Sequence, residues 1–259
     1  MKKILITGGS GFIGTNLINF LVKNSYYILN IDKSSYCSTP ENFKEKSKKK
    51  NYFYCKLDLK KYPVLIKKIK KFNPDIIFHL AAESHVDNSI DGPRNFINNN
   101  ILATNSLYSA ILELNKKNKK FNPNVIHVST DEVYGSIKSD QAKEIHIINP
   151  SSPYSASKAG CDLIAQSFLR TFGLKISIIK LCNNYGPYQF IDKFIPLAIQ
   201  MFIKNKKIPL YGNGKNIREW MYVGDSCIAI LKLIKKFKSG KVYNIGSSLR
   251  KSNYEIIKI

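Results

Sequence analysis

The 259-residue sequence has no run of eighteen or more apolar residues, so no segment reads as a membrane-crossing helix. Its opening, "MKKILITGG", passes straight into a strand and a Gly-rich turn with no small-residue cleavage site, which gives no sign of a secretory leader. The five cysteines, Cys37, Cys55, Cys161, Cys182 and Cys227, are odd in number and never spaced Cys-x-x-Cys. Reduced thiols in a cytoplasmic protein are the expectation. His79, His85, His127 and His146 show no helical ligand spacing, and no metal site is expected. Acidic residues are few, 18 Asp and Glu against 41 Lys and Arg, for a formal charge of +23. Arginine is scarce too: Arg94, Arg170, Arg218 and Arg250 are all there is. A nucleic-acid surface calls for Arg and aromatics interleaved in one patch. Here the lysines are scattered among many Asn and Ile, residues with A/T-rich codons, and a biased genome accounts for the excess. The lysine clusters at 44–50 and 116–120 read as solvated loops. No nucleic acid and no membrane is expected as partner, although a positive field would draw in a diphosphate-bearing substrate.

What is present is an ordinary globular composition, 44% hydrophobic, in a chain long enough for one large domain with a smaller appendage. Short apolar runs at 3–6, 27–31, 52–57, 76–80, 125–129 and 176–181 alternate with helical patterns at 12–23, 63–72, 94–114 and 155–172. That alternation is the signature of βαβ units, and six such strands predict a doubly wound α/β fold with a parallel sheet. After residue 183 the rhythm changes. Helical patterns at 193–205 and 225–237, with strand-like pieces at 208–211 and 241–245, predict a smaller C-terminal lobe. The expected division is 1–182 for a dinucleotide-binding domain and 183–259 for a substrate lobe, with strands free to interleave. The final "SNYEIIKI" reads as the opening of another helix, so the lobe is expected to be incomplete.

"ILITGGSGFIG" sets Gly8, Gly11 and Gly14 between the first strand and the first helix. Glycines there permit a tight turn and let a pyrophosphate approach backbone N–H groups at a helix N-terminus, where the dipole favours negative charge. Asp32 closes the second strand eighteen residues past Gly14, where a carboxylate can accept bonds from both adenosine ribose hydroxyls. It would repel a 2′-phosphate, so NAD is expected over NADP. The plainer alternative is a turn that only packs helix on strand. Asp58, ending the third strand, is a candidate for the adenine edge or for a helix cap. "HLAAES" ends the fourth strand with Ala81 and Ala82, small enough for a cofactor to lie against the backbone.

Two stretches carry candidate chemistry. In "STDEVYG", Asp131 and Glu132 stand side by side where the fifth strand runs out, a place where ligands collect in open α/β sheets. In "PSSPYSASKAG", Tyr154 and Lys158 lie four apart at a helix start, hence on one face. A phenol of pKa about 10 is a poor base at neutral pH, but a neighbouring ammonium stabilises the phenolate and is expected to draw that value down. Alone, Tyr-x-x-x-Lys is common on helices; beside the Gly-rich turn and a Ser-Thr pair it gains weight.

Together these motifs resemble the extended short-chain dehydrogenase/reductases, in particular the NAD-dependent epimerase/dehydratase family. The resemblance narrows to its dTDP-glucose 4,6-dehydratase branch through "TGGSGFIG", "HLAAESHVD", "STDEVYG", "PSSPYSASK", "NNYGPYQF", "PLYGNG" and "IREWMYV", in order from residue 4 to about 225. It implies a Rossmann-like doubly wound sheet with a smaller substrate lobe, and a lyase that uses NAD on a nucleotide sugar. The paired acids fit, because removing water needs a base for the C5 proton and an acid for the C6 hydroxyl, tasks that unlike surroundings can divide. By resemblance the catalytic residues are Thr130, Asp131, Glu132, Tyr154 and Lys158. Cofactor contacts would come from Gly8, Gly11, Phe12, Ile13, Gly14, Asp32, Lys33, Asp58, Leu59, Leu80, Ala81, Ala82, Tyr154, Lys158 and Asn184. Substrate contacts would come from Ser84, Thr130, Asn183, Lys193, Pro209, Tyr211, Arg218 and Asn253. Arg218 has independent support, since a guanidinium suits a diphosphate; Lys193 also reads as surface charge. His85 reads as structural and Trp220 as core. The family implies a homodimer through the helices around 94–114 and 155–172.

Three departures from the family pattern stand out: a short 135–153 segment, Cys182 where Ser is usual, and no Arg-Pro-Gly-His-Asp segment. They keep open an epimerase or another sugar-nucleotide dehydratase, and a non-catalytic NAD-binding remnant. Asp131 and Glu132 argue against the epimerase, and the intact set of Thr130, Asp131, Glu132, Tyr154 and Lys158 argues against the remnant.

Overall fold

Strand β1 (Lys2–Thr7) sits in mid-sheet and is buried on both faces, which its uninterrupted apolar run requires. Alternation decides the sides: Ile4 and Ile6 join one core cluster and Leu5 the other, and all three are fully buried. The computed structural model describes residues 1–24, 26–43, 50–137, 141–210 and 212–259. The further strands in chain order are β2 (Tyr26–Asp32), β3 (Tyr52–Lys56), β4 (Ile76–His79), β5 (Asn124–Thr130), β6 (Ile176–Leu181), β7 (Asn183–Tyr185), β8 (Ile217–Tyr222), β9 (Val242–Ile245) and β10 (Arg250–Ser252). Seven of them form one sheet in the order β3-β2-β1-β4-β5-β6-β9, every neighbouring pair parallel.

Helices α1 (Phe12–Leu21), α2 (Tyr62–Phe72), α3 (Val86–Asp91), α4 (Pro93–Phe96), α5 (Leu102–Lys117), α6 (Pro153–Phe172), α7 (Phe194–Ile203), α8 (Val223–Lys236) and α9 (Asn253–Lys258) complete the fold. Leu65 and Ile69 of α2, Leu107 and Ile111 of α5 and Phe168 of α6 cover one face; Leu17 and Leu21 of α1 and Ile230 and Ile234 of α8 cover the other. Each such fully buried Leu or Ile is worth about 1.5–3 kcal/mol. The order reverses between β1 and β4, so a crevice opens beyond the carboxyl ends of those two strands. This is the Rossmann-like doubly wound sheet that the sequence predicts, with a small mixed sheet, β10-β8-β7, beside it.

The differences have local causes. The strand expected at 208–211 does not form over 208–210, and Tyr211 lies outside the described residues, as do 44–49 of the first lysine cluster. Pro209 has no N–H to give a ladder. The lobe's strand is β8 instead, paired with β7 and β10 through Trp220 and Arg218. The strand expected at 241–245 forms, and lies beside β6 in the main sheet. The helix expected over 94–114 is broken: α4 runs into a π-helical turn (Ile97–Ile101) before α5 begins. Three consecutive asparagines, poor helix formers, occupy that turn. The lysines of the 116–120 cluster are exposed as expected, and α9 forms with a capping box from Ser252 and Glu255.

Candidate active site

The turn after β1 is built for close backbone approach. Gly8 has φ +71°, and a Cβ on it would lie 2.6 Å from the Ala81 backbone; a Cβ on Gly14 would lie 2.5 Å from the Gly8 carbonyl. Gly11 differs: its nearest neighbour would be the Gly8 carbonyl at 3.4 Å, so protein packing leaves that side open. It caps α1, whose first turn has no side-chain cap and no acid, leaving N–H groups and a positive dipole end for an anion.

This turn forms one wall of an open cleft lined also by Phe12, Ile13, Asp32, Lys33, Asp58 and Leu59. Leu80, Ala81, Ala82, Ser84, Tyr154, Lys158 and Lys193 line it too. Asp32 is buried and accepts from Ser10 N (3.0 Å), Ser34 N (2.8 Å) and Ser38 Oγ (3.1 Å). A carboxylate offers about four lone-pair sites, so capacity for another donor remains. Asp58 does not cap α2, whose cap position is Lys61; its Oδ1 accepts from Lys60 N at 2.9 Å while it faces the cleft. Lys33 pairs with Glu83. The donor set, a helix N-terminus at one end and a buried carboxylate at the other, fits a dinucleotide with free ribose hydroxyls.

Beyond Thr130, the last residue of β5, the chain makes a single 3-10 turn (Asp131–Tyr134). The Thr130 hydroxyl caps it, accepting from Glu132 N and donating to Asp131 Oδ1, both at 3.3 Å. Across from it, α6 opens with Pro153 in its first turn and a capping box between Ser152 and Ser155. Tyr154 and Lys158 are both buried; Lys158 Nζ donates to the Val128 carbonyl at 2.7 Å, and Tyr154 N donates to Ser89 Oγ at 3.1 Å. The Tyr154 ring meets Phe96 edge-on with centroids 6.3 Å apart.

The electrostatics separate the two acids. Burial, then the charge of Glu132, pushes the Asp131 carboxyl up to about 7, with Thr130 and Arg218 working the other way. Burial raises Glu132 as well, but Arg218 and Lys193 both pull it back. Asp131 therefore gains and loses its proton close to neutral pH, while Glu132 feels the charge of two cations. Tyr154 departs from expectation: burial first, and then Glu132, raises the phenol, and a hydrogen bond from Thr130 opposes them only in part. Within the protein alone the ammonium of Lys158 does not bring the phenol below its ordinary value.

Several expected residues stand apart from the cleft. Asn184 spends its amide on the Cys182 carbonyl (2.8 Å) and the Ser226 hydroxyl. Asn183 pairs with Trp220 in the small sheet, where Arg218 is exposed and Asn253 begins α9. Pro209 is exposed in an irregular stretch. Trp220 is buried as expected, and His85 caps α3 by accepting from Asn88 N. The sequence reading missed Asn100, Glu83, Cys37 and Phe190. Only Asn100 left a signal, as the last of three asparagines inside an apolar helical pattern. All five cysteines are free, and among the described residues no cluster of three metal-ligating side chains and no helix long and apolar enough to cross a membrane occurs.

A family profile described as GDP-mannose 4,6 dehydratase matches residues 5–259. The dTDP-glucose 4,6-dehydratase of Haemophilus influenzae is 39% identical over 268 aligned positions, covering 100% of this chain and 78% of the relative. Among solved structures, the dTDP-glucose 4,6-dehydratase DesIV of Streptomyces venezuelae, crystallised with NAD, superposes with a TM-score of 0.93 at 36% identity, over 99% of this chain and 79% of its own. The UDP-glucose 4-epimerase of Thermotoga maritima, solved with UDP-glucose, gives 0.88 at 26% identity, over 99% and 80%.

Proposed function

The chain belongs to the GDP-mannose 4,6 dehydratase family, within the NAD-dependent sugar-nucleotide epimerases and dehydratases, and we propose that it converts dTDP-glucose to its 4-keto-6-deoxy form with NAD as cofactor. The observation that carries this reading is the turn after β5, where two adjacent carboxyl groups, both raised by burial but Asp131 further by its neighbour's charge and Glu132 pulled back by Arg218 and Lys193, stand beside a buried Tyr-Lys pair. An enzyme that only shuttles hydride has no use for that division.

In this reading Tyr154 takes the proton of the sugar's 4-hydroxyl, and Thr130 hydrogen-bonds the same oxygen. Once C4 is a ketone, the C5 proton is acidic and Glu132 removes it. Asp131, protonated near pH 7, gives its proton to the C6 hydroxyl as it leaves as water. When bound, NAD supplies the hydride acceptor at C4, the hydride returned to C6, and a positive ring charge that favours the Tyr154 phenolate. A proton goes back to C5, so the sum is loss of one water with no net oxidation. The cofactor would be held by Gly11 and the α1 N-terminus at its pyrophosphate, by Asp32 at a ribose, and by Ala81 and Ala82 along its length. Arg218 and Lys193 would face the substrate diphosphate, with Ser84, Asn183, Pro209, Tyr211 and Asn253 as further contacts.

We keep the division into an NAD-binding part, 1–182, and a substrate lobe, 183–259, as a proposal. So too is a cytoplasmic homodimer through α5 and α6, which present exposed Leu102, Leu163 and Phe172.

Incubation of the purified chain with dTDP-glucose and NAD tests the reading, with the alkali-absorbing 4-keto product as readout. Product from dTDP-glucose but not from UDP- or GDP-linked hexoses supports it. Inversion at C4 without loss of water would reassign the chain to the epimerases, and no turnover with any donor would make it a non-catalytic remnant.

A further inference from the structure

Two segments far apart in sequence line the cofactor cleft: Ser35, Cys37 and Ser38 after β2, and Gln189, Phe190 and Lys193 before α7. They are tied together through the residues between. The Tyr36 ring meets Phe190 edge-on, centroids 5.4 Å apart at 87°. Its hydroxyl donates to Asp192 Oδ2 at 3.1 Å. Asn88 of α3 donates to that same hydroxyl at 3.2 Å, and His85 Nε2 stands 3.6 Å from that same carboxylate oxygen. Two loops and the start of α3 therefore converge on one phenol-carboxylate pair. The other Asp192 oxygen lies 3.9 Å from Lys193 Nζ, which carries the contact into the cleft wall.

We propose that Tyr36 and Asp192 form a clasp across the cofactor cleft and that this contact sets how slowly the dinucleotide leaves. Burial, and after it the charge of Asp192, holds the Tyr36 phenol above its ordinary value, so it remains a donor throughout the neutral range. The proposal rests on the dehydratase reading, in which the cofactor ends each cycle as it began. Release is then no part of turnover, and a contact that slows exchange costs the reaction nothing. An enzyme that discharged reduced cofactor every cycle would be hindered by the same clasp.

The test is an exchange experiment on the full chain. Wild type, Tyr36→Phe, Asp192→Asn and the double variant are loaded with labelled NAD and chased with excess unlabelled NAD. Tyr36→Phe removes only the hydroxyl and keeps the ring against Phe190; Asp192→Asn keeps the shape and removes the charge. Each single variant is expected to release NAD about tenfold faster, the scale of one lost hydrogen bond to a charged group. The double variant should be no faster than either single one, because both break the same contact. Asp192→Glu, which restores the carboxylate, should recover part of the retention. Release at the wild-type rate in variants whose melting temperature is unchanged would overturn the clasp, and so would a double variant whose effects multiply. Product formation from dTDP-glucose is read separately: a chain that retains NAD through the clasp yet makes no 4-keto sugar refutes the dehydratase reading and not the clasp.

Discussion

Asn100 grips the peptide of Glu83 from both sides. Its Oδ1 accepts the Glu83 N–H at 2.7 Å and its Nδ2 donates to the Glu83 carbonyl at 3.1 Å, and to Ser157 Oγ at 2.8 Å. The side chain is fully buried, and the π-helical turn is what aims it inward. One amide thereby fixes the segment after β4, a cleft wall, to α6, which carries Tyr154 and Lys158.

Asn100→Ala should therefore act on stability and on the cleft together. It leaves a half-buried N–H and carbonyl of Glu83 without their side-chain partner and removes the buried bond to Ser157, a loss of about 1–3 kcal/mol. Thermal unfolding should show a fall of several degrees, and NAD titration of the still-folded fraction a weaker affinity. An unchanged melting temperature would mean that water or a neighbour replaces the amide, and the bridging role would fail.

Asp131→Asn separates chemistry from folding. In the proposed mechanism, loss of this acid should lower dehydration about 10²–10⁴-fold. Stability should move the other way. The folded carboxyl titrates near 7 and the unfolded one near 3.8, so between those values the folded state binds more protons and stability falls as pH rises, levelling off above 7. The rise from 3.8 to about 7 caps the effect at about 4 kcal/mol, and partial exposure reduces it to about half that. Melting temperatures of wild type and Asp131→Asn should agree at pH 4 and diverge at pH 8 in favour of the variant. A variant that melts lower at pH 8 would show that the carboxylate is not strained in the fold.

Arg218 is felt by both acids, lowering Glu132 and Asp131 alike. Replacing it by Gln should raise both. In the proposed mechanism Glu132 must be ionised to act as base and Asp131 protonated to act as acid, so both limbs of the pH–rate curve should move to higher pH, while KM should rise through loss of the proposed diphosphate contact. A curve whose limbs move apart, or stay put, would remove Arg218 from the electrostatics of the turn.

The elements that the sequence discloses are those whose signal is local. The short apolar runs at 76–80, 125–129 and 176–181 read as doubly covered parallel strands, and strands formed over 76–79, 124–130 and 176–181. Strand β8 was missed because Arg218 and Glu219 sit among Ile217, Trp220 and Met221, giving neither clean alternation nor a continuous run, while Ile208 and Leu210 around Pro209 looked more strand-like than they are. The π-helical turn was illegible because it shifts the apolar stripe by one residue without changing composition. Spacing put Tyr154 and Lys158 on one helix face, but the carboxylates that raise the phenol come from the turn after β5, a contact no local pattern encodes. Tyr36 and Asp192 meet across 156 positions and left no trace at either end.

The Gly-rich turn allows a comparison in which packing and ligand binding give opposite outcomes. At Gly14 a methyl group would be 2.5 Å from the Gly8 carbonyl and 2.6 Å from Gly9 Cα, both backbone, so Gly14→Ala must shift the turn against α1. It should lower the melting temperature and abolish NAD binding with it. At Gly11 the same methyl has only the Gly8 carbonyl at 3.4 Å, an ordinary contact, and φ is −77°, a value any residue adopts. Gly11→Ala should therefore fold and melt like wild type, or slightly above it because the unfolded chain loses freedom. Its methyl would occupy the approach to the α1 N-terminus, and NAD affinity should drop at least about tenfold, or 1.4 kcal/mol. Calorimetric titration beside thermal unfolding makes the check. Wild-type affinity in a stable Gly11→Ala would mean that no pyrophosphate lies against this helix end.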